Sequence, residues 1–305
     1  MRLERDEAAR AVATLTLSML LAVAVYPTAA PAGEYSALTS LASVQLVANE
    51  QQVAAWHASG TCEWRIVDGR LEVRPAGGRA TGTLGDFGWL RYKPLIKSAV
   101  FLSGVGTSTC EGMFQGCDQM TEADLSGLDS TSVTSHAEMF DGCSSLMTVD
   151  LGGLSGSSPE EAANMFFGCS SLVSVDLSGI NGSDIGSFEG MFNSCSELVS
   201  VALPDLGNST ATSTLAMFFN CAKLAELDLA DVHMPLLSNM ENMFGGCRSL
   251  ASVDLSALGS SNVTDMDSLF SGCSALERVD LSGLAGAFSQ GDELLLYGLL
   301  FHRGD

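Results

Sequence analysis

Residues 139–151 read Met139-Phe140-Asp141-Gly142-Cys143-Ser144-Ser145-Leu146-Met147-Thr148-Val149-Asp150-Leu151, and versions of this phrase occur seven times. The copies begin at Met113, Met139, Met165, Met191, Met217, Met243 and Leu269, each 26 residues after the last, with no insertion or deletion. A fixed period in this range marks stacked units, none of which can bury its own hydrophobic face alone.

Leu146, Val149, Leu151 and Leu154 stand at positions 1, 4, 6 and 9, the frame of a leucine-rich repeat. Val149 and Leu151 alternate as a strand requires, both facing in, with Asp150 facing out. The other half of each copy has a different period. Val133, His136, Met139, Phe140 and Cys143 recur at nearly helical spacing. The residue before each Cys is Gly116, Gly142, Gly168, Gly246 or Gly272, with Ser194 and Asn220 at the two remaining copies. Gly and Asn there point to a left-handed residue closing a helical turn. The pattern predicts an α/β solenoid: seven 26-residue rungs, each with a strand and a short helix of one or two turns. Every column of the repeat then becomes a ladder of like side chains.

Working outward, residues 96–112 repeat the spacing in weaker form through Ile96, Ala99 and Phe101, so the solenoid is expected over 96–284. Residues 60–95 read as a small N-terminal β cap. Asp68-Gly69 between alternating segments signals a hairpin, and Trp64, Trp89 and Tyr92 supply bulk to cover the first rung. Residues 33–59 read as a linker and 285–305 as a degenerate C-terminal cap. Residues 1–32 resemble a secretory signal: an apolar run from Ala11 to Val25 follows Arg2, Arg5 and Arg10, and Ala30-Pro31-Ala32 offers a cleavage pattern. The competing reading is an uncleaved anchor, for which the run is shorter than the ~20 residues of a span.

The formal net charge is −22, from 14 basic and 36 acidic residues. That argues against binding to nucleic acid or anionic membrane, where basic patches steer association. It favours cationic partners or metal ions. Only 16% of residues are charged, too few for a disordered acidic tail. The histidines, His57, His136, His233 and His302, fall at unrelated positions, and no Ser/His/Asp, Cys/His or phosphate-loop pattern recurs. The expectation is a non-enzymatic protein without a cofactor, which does not insert into membrane after export.

Three ladders are candidates for chemistry. Cys117, Cys143, Cys169, Cys195, Cys221, Cys247 and Cys273 form a column with no metal-site spacing, and buried thiols are the expected role. Disulfides between neighbouring rungs are the alternative, and Cys62 could pair with Cys110. The Phe column from Phe114 to Phe270 reads as core. Asp124, Asp150, Asp176, Asp228, Asp254 and Asp280, interrupted by Ala202, form the candidate binding face. Neighbouring carboxylates repel by about 1 kcal/mol even in water. Compensation comes either from hydroxyls and amides two residues on, such as Ser126 and Ser178, or from a hard cation such as calcium.

The phrase from Met139 to Leu151, together with Ser261-Asn262-Val263-Thr264-Asp265-Met266, resembles the BspA-like leucine-rich-repeat surface proteins of bacteria. Gly60-Thr61-Cys62-Glu63-Trp64, Asp68-Gly69-Arg70-Leu71 and Trp89-Leu90-Arg91-Tyr92 resemble the segment that precedes the array in that family. The resemblance spans residues 60–284. It implies a secreted or wall-associated protein that adheres to extracellular or host proteins, and it carries over no catalytic residue. The chain departs from the pattern at Pro159-Glu160-Glu161, Ala202 and Pro204.

Overall fold

The computed structural model describes residues 51–204, 206, 209–259 and 262–284. The signal-like segment 1–32, most of the 33–59 segment and the 285–305 cap therefore lie outside the described residues. Of two compact units, Met1–Gln52 and Val53–Asp305, the second holds all of the described sheet.

Strands β1 (His57–Ser59), β2 (Cys62–Val67) and β3 (Arg70–Pro75) form an antiparallel meander. The meander begins at His57, inside the segment read as linker. Its second turn is Asp68-Gly69, with φ of 52° and 82°. Positive φ at both residues suits the twist of a two-residue hairpin. Every later pairing between strands is parallel. These strands are β4 (Gly82–Thr83), β5 (Ser98–Phe101), β6 (Val105–Gly106), β7 (Glu122–Asp124), β8 (Leu128–Asp129), β9 (Thr148–Asp150), β10 (Ser174–Asp176), β11 (Ser200–Ala202), β12 (Ser252–Asp254) and β13 (Arg278–Asp280). The main sheet has the order β1-β2-β3-β5-β7-β9, so β3 joins the meander to the first rung. Beyond it the strand face continues as the separate pairs β10-β11 and β12-β13. Residues 226–228, at the equivalent place on rung five, form no strand.

The opposite wall is continuous. Each rung there makes overlapping turns, and the short helix expected at this place does not form. The backbone of rung two shows why. The N–H groups of His136, Glu138, Phe140 and Gly142 donate to Glu161, Ala163, Met165 and Phe167 of the next rung at 2.8, 2.9, 2.8 and 2.8 Å. Those of Met139, Asp141 and Cys143 donate back three residues, to His136, Glu138 and Phe140. A helix would direct every N–H back along its own segment; here every second one binds the neighbouring rung. Two left-handed residues per rung set this alternation. One precedes the Cys, as the glycines foretold. The other precedes the Met, at Gly112, Glu138, Asn164, Gly190, Ala216, Asn242 and Ser268, with φ between 52° and 61°. Positive φ at the third residue of a turn is what a type II turn demands.

Side chains inside the stack repeat rung by rung. Adjacent rings from Phe114 to Phe270 lie 5.2–5.8 Å apart, tilted by only 3–14°. The Met, Cys and Leu columns are buried beside them, except for Cys273 and Leu276 of the last rung, which are half-buried. Trp89, in the 3-10 helix Gly88–Leu95, closes the N-terminal end of this row. Its indole N–H donates to the Met113 carbonyl at 2.9 Å, and its ring meets Trp64, Phe101 and Phe114. The turns at Gly127, Gly153 and Gly283, which follow their strands, also pack tightly. A Cβ on Gly153 would overlap the Leu125 carbonyl oxygen of the rung before.

Candidate interaction face

The strands carry two residues per rung outward, and the parallel register lines them up. One row runs Arg70, Ser98, Glu122, Thr148; the next runs Glu72, Val100, Asp124, Asp150. Between them lies a shallow groove of about 540 Å³, lined by Arg70, Ser98, Val100, Glu122, Asp124, Thr148 and Asp150 among others. Further along, Ser174 pairs with Ser200 and Asp176 with Ala202, then Ser252 with Arg278 and Asp254 with Asp280. All six candidate aspartates are exposed. The register brings Asp124 beside Asp150, and Asp254 beside Asp280. It does not join them into one unbroken row, because the ladder is interrupted after β9 and at Asp228.

Each carboxylate holds the turn that follows it. Asp124 Oδ1 accepts from the Ser126 amide at 3.0 Å and the Ser126 hydroxyl at 2.6 Å. Asp176 does the same with Ser178, at 2.9 and 2.6 Å. Asp150, Asp228, Asp254 and Asp280 accept from the amides of Gly152, Ala230, Ser256 and Ser282 at 2.8–3.0 Å. The Ser126 hydroxyl and amide hold the Asp124 carboxyl below the usual carboxylate range, and Arg70 adds to this. Ser178 and Ser282 do likewise for Asp176 and Asp280. Of the two compensations expected from the sequence, the local one is present at all six positions. Among the described residues no three of His, Cys, Asp and Glu converge as a metal ligand set.

The outer face has a second row that the sequence reading passed over. Met147, Val173 and Val199 follow the buried Leu146, Leu172 and Leu198, and are 51%, 47% and 45% exposed. The signal was legible: lining up the copies shows an apolar residue just outside the inward-facing frame on three successive rungs.

The cysteines are not a reactive centre. All nine are free thiols, so neither rung-to-rung disulfides nor a Cys62–Cys110 bridge forms. Burial pushes the Cys195 and Cys247 thiols up to about 12. The described histidines occupy separate places. His57 stacks on Trp64, His233 Nδ1 meets the Ala257 carbonyl at 3.0 Å, and His136 is buried. No described helix is long and apolar enough to cross a membrane.

Residues 108–226 and 212–285 match the family described as "Mycoplasma protein of unknown function, DUF285", and together cover more than half of the chain. A leucine-rich repeat protein from Eubacterium ventriosum, known from a crystal structure at 2.50 Å resolution, is similar at 12% identity and a TM-score of 0.28. That similarity covers 77% of this chain and 95% of the other. No curated protein matches the chain.

Proposed function

The chain belongs to the DUF285 family, and from that premise we propose that it is an exported, non-enzymatic interaction scaffold that adheres to extracellular or host proteins in the manner of BspA-like surface proteins. The observation that carries this reading is the strand face itself. Parallel register holds exposed side chains in fixed rows on a stack whose other wall is bonded at every rung. Such a face offers a partner repeated contacts on a backbone already in place, which lowers the ordering cost of binding. The signal-like residues 1–32 support export, and the charge of −22 supports a protein partner over nucleic acid.

Binding of the full chain to a panel of matrix and host surface proteins tests the reading. A saturable partner that is lost when Asp124, Asp150 and Asp176 become Asn supports it; silence across the panel counts against adhesion. Secretion is tested separately, by sequencing the N-terminus of the exported protein for cleavage after Ala32. A second reading, a spacer with no ligand of its own, is favoured by one observation. The neighbouring outward positions are Thr148, Ser174, Ser200, Glu226, Ser252 and Arg278, with few of the Trp, Tyr and Arg side chains that anchor tight interfaces. Deleting two 26-residue copies separates the two readings: a spacer shortens and still works, whereas an adhesin loses its partner.

A further inference from the structure

On rungs two to four the outer face is apolar along one line. The pairing of Ser174 with Ser200, and the 2.8 Å bond from the Val199 N–H to the Val173 carbonyl, hold Val173 and Val199 in one column. Met147 has the same place on rung two, where its N–H donates to Thr121 of the rung before at 2.9 Å. Ala225 and Ala251 continue the column at smaller size. The ladder is broken between β9 and β10. The 3.2 Å bond from the Ser170 hydroxyl to the Ser144 carbonyl nevertheless ties rung three to rung two, three residues before Val173 and Met147. Large apolar side chains left half in water on three successive rungs thus share one patch of the kind that marks contact surfaces.

What lies beside the patch indicates what covers it. Thr148, Ser174 and Ser200 border it as neutral hydroxyls, and Asp150 and Asp176 stand two residues further along their strands, exposed. The ion pairs of the described residues are Arg65–Glu72, Arg74–Glu63 and Lys223–Glu197, so neither aspartate is neutralised within them. A second copy of this chain would bring like charges against like, in a molecule whose net charge is −22. A basic partner instead neutralises the aspartates while its apolar side chains cover the column.

We propose that Met147, Val173 and Val199, with Asp150 and Asp176, are the docking surface for a basic polypeptide segment that also carries apolar side chains. The proposal rests on the scaffold reading above and names the chemistry of the partner. The groove from Arg70 to Asp150 joins this surface through Thr148 and Asp150, and gives a longer segment room to continue.

The test uses the full chain and short labelled peptides alternating Lys with Leu, Lys with Ser, or Glu with Leu. The Lys-Leu peptide binds, binding weakens with added salt, Lys-Ser binds less tightly, and Glu-Leu does not bind. Replacing Met147, Val173 and Val199 together by Ser leaves the net charge unchanged and weakens Lys-Leu binding by about tenfold or more, roughly 1.4 kcal/mol. Val173→Lys, a single exposed change, also weakens it by repelling the peptide. Equal binding by wild type and the triple Ser variant overturns the proposal, because general attraction to an acidic protein then suffices. Equal binding of a panel protein to both chains overturns the proposal too, yet leaves the scaffold reading standing. Silence of the panel, with peptide binding lost in the variant, upholds this surface and counts against adhesion.

Discussion

The thiol of Cys195 donates a hydrogen bond to the carbonyl oxygen of Phe166, 3.1 Å away on the preceding rung. The same bond joins Cys143 to Phe114, Cys169 to Phe140, Cys221 to Phe192, Cys247 to Phe218 and Cys273 to Phe244, at 3.0–3.2 Å. The cysteine is therefore more than a small hydrophobe. It adds a second donor to a buried carbonyl that already accepts the N–H of the Cys in its own turn, as Phe166 does from Cys169 at 3.1 Å. Each such bond is weak, but it fills the second lone pair of a carbonyl shut away from water.

These thiols are predicted to be inert in the folded protein. The thiolate is the reactive species, and burial pushes Cys110, Cys117, Cys195 and Cys247 up to about 12. At pH 8 a disulfide reagent titrates few thiols in the native chain and all nine after denaturation, with Cys273, pushed up to about 11, the fastest of the repeat column. Rapid native reaction of several thiols contradicts the packing described.

Backbone handedness predicts opposite signs for two substitutions. Ala216 holds φ of 52° although it has a Cβ. Ala216→Gly removes that strain and stabilises by up to about 1 kcal/mol, less the entropy that Gly adds to the unfolded chain. Gly153→Ala drives a Cβ into the Leu125 carbonyl and destabilises by several kcal/mol. Urea midpoints at constant m-value measure both. A destabilising Ala216→Gly would sink the left-handed assignment.

What the sequence disclosed and what it hid follow the same distinction. Repeat period and turn chemistry disclosed the rung length, the strand through Val149, the burial of Leu151 just beyond its end, the Phe column and the Asp68-Gly69 hairpin. They hid what depends on backbone hydrogen bonding. The near-helical spacing of His136, Met139, Phe140 and Cys143 is equally that of successive turns on one wall. Only the residue before the Met separates the two, and there Glu138, Ala216 and Ser268 interrupt the Gly and Asn of the other four copies, whereas the glycines before the Cys are more regular. The aspartates were legible as outward residues. Their bonds to Ser126 and Ser178 followed from chemistry at i+2. The breaks in the strand face after β9 and at Asp228 had no sequence signal that would place them. The exposed column at Met147, Val173 and Val199 is present in the repeat, but Thr121, Ala225, Ala251 and Glu277 in the same column break its apolar signal.

A buried histidine sets a pH dependence. His136 is 1% exposed, its Nε2 has no hydrogen-bond partner, and burial lowers its pKa from 6.5 to about 4. In the unfolded chain it protonates near 6.5. Between pH 6.5 and about 4 the unfolded state therefore binds more protons, and stability falls as pH falls, by up to about 3 kcal/mol. The loss levels off below about 4, where the folded state also takes the proton. Asp124 and Asp176 act in a lower window: their folded pKa values are depressed, so their contribution is present above the ordinary carboxylate value and lost beneath it. His136→Met, which places at rung two what Met240 and Met266 place further on, flattens the upper window alone. Unfolding midpoints at pH 7, 5 and 4 read this directly. An unchanged slope in the variant would contradict the assignment.

Calcium is predicted to leave the melting temperature unmoved. The Oδ1 atoms of Asp124, Asp150 and Asp176 already accept from the turns that follow them. A chelator therefore removes nothing on which the fold depends. A melting temperature that climbs with millimolar calcium and falls with chelator would replace local compensation by cation stiffening.

The stacking itself is most directly tested by a ladder of distances. In a chain with the partly exposed Cys273 replaced by Ser, spin labels on Glu122→Cys paired in turn with Ser174→Cys, Glu226→Cys and Arg278→Cys sample one outward column two, four and six rungs apart, while the eight buried thiols stay unlabelled. At ~4.8 Å per rung, the account predicts that each pair lies about 10 Å further apart than the one before, along a single line. Distances that fail to grow with rung number would show that like residues of successive copies do not stand in columns.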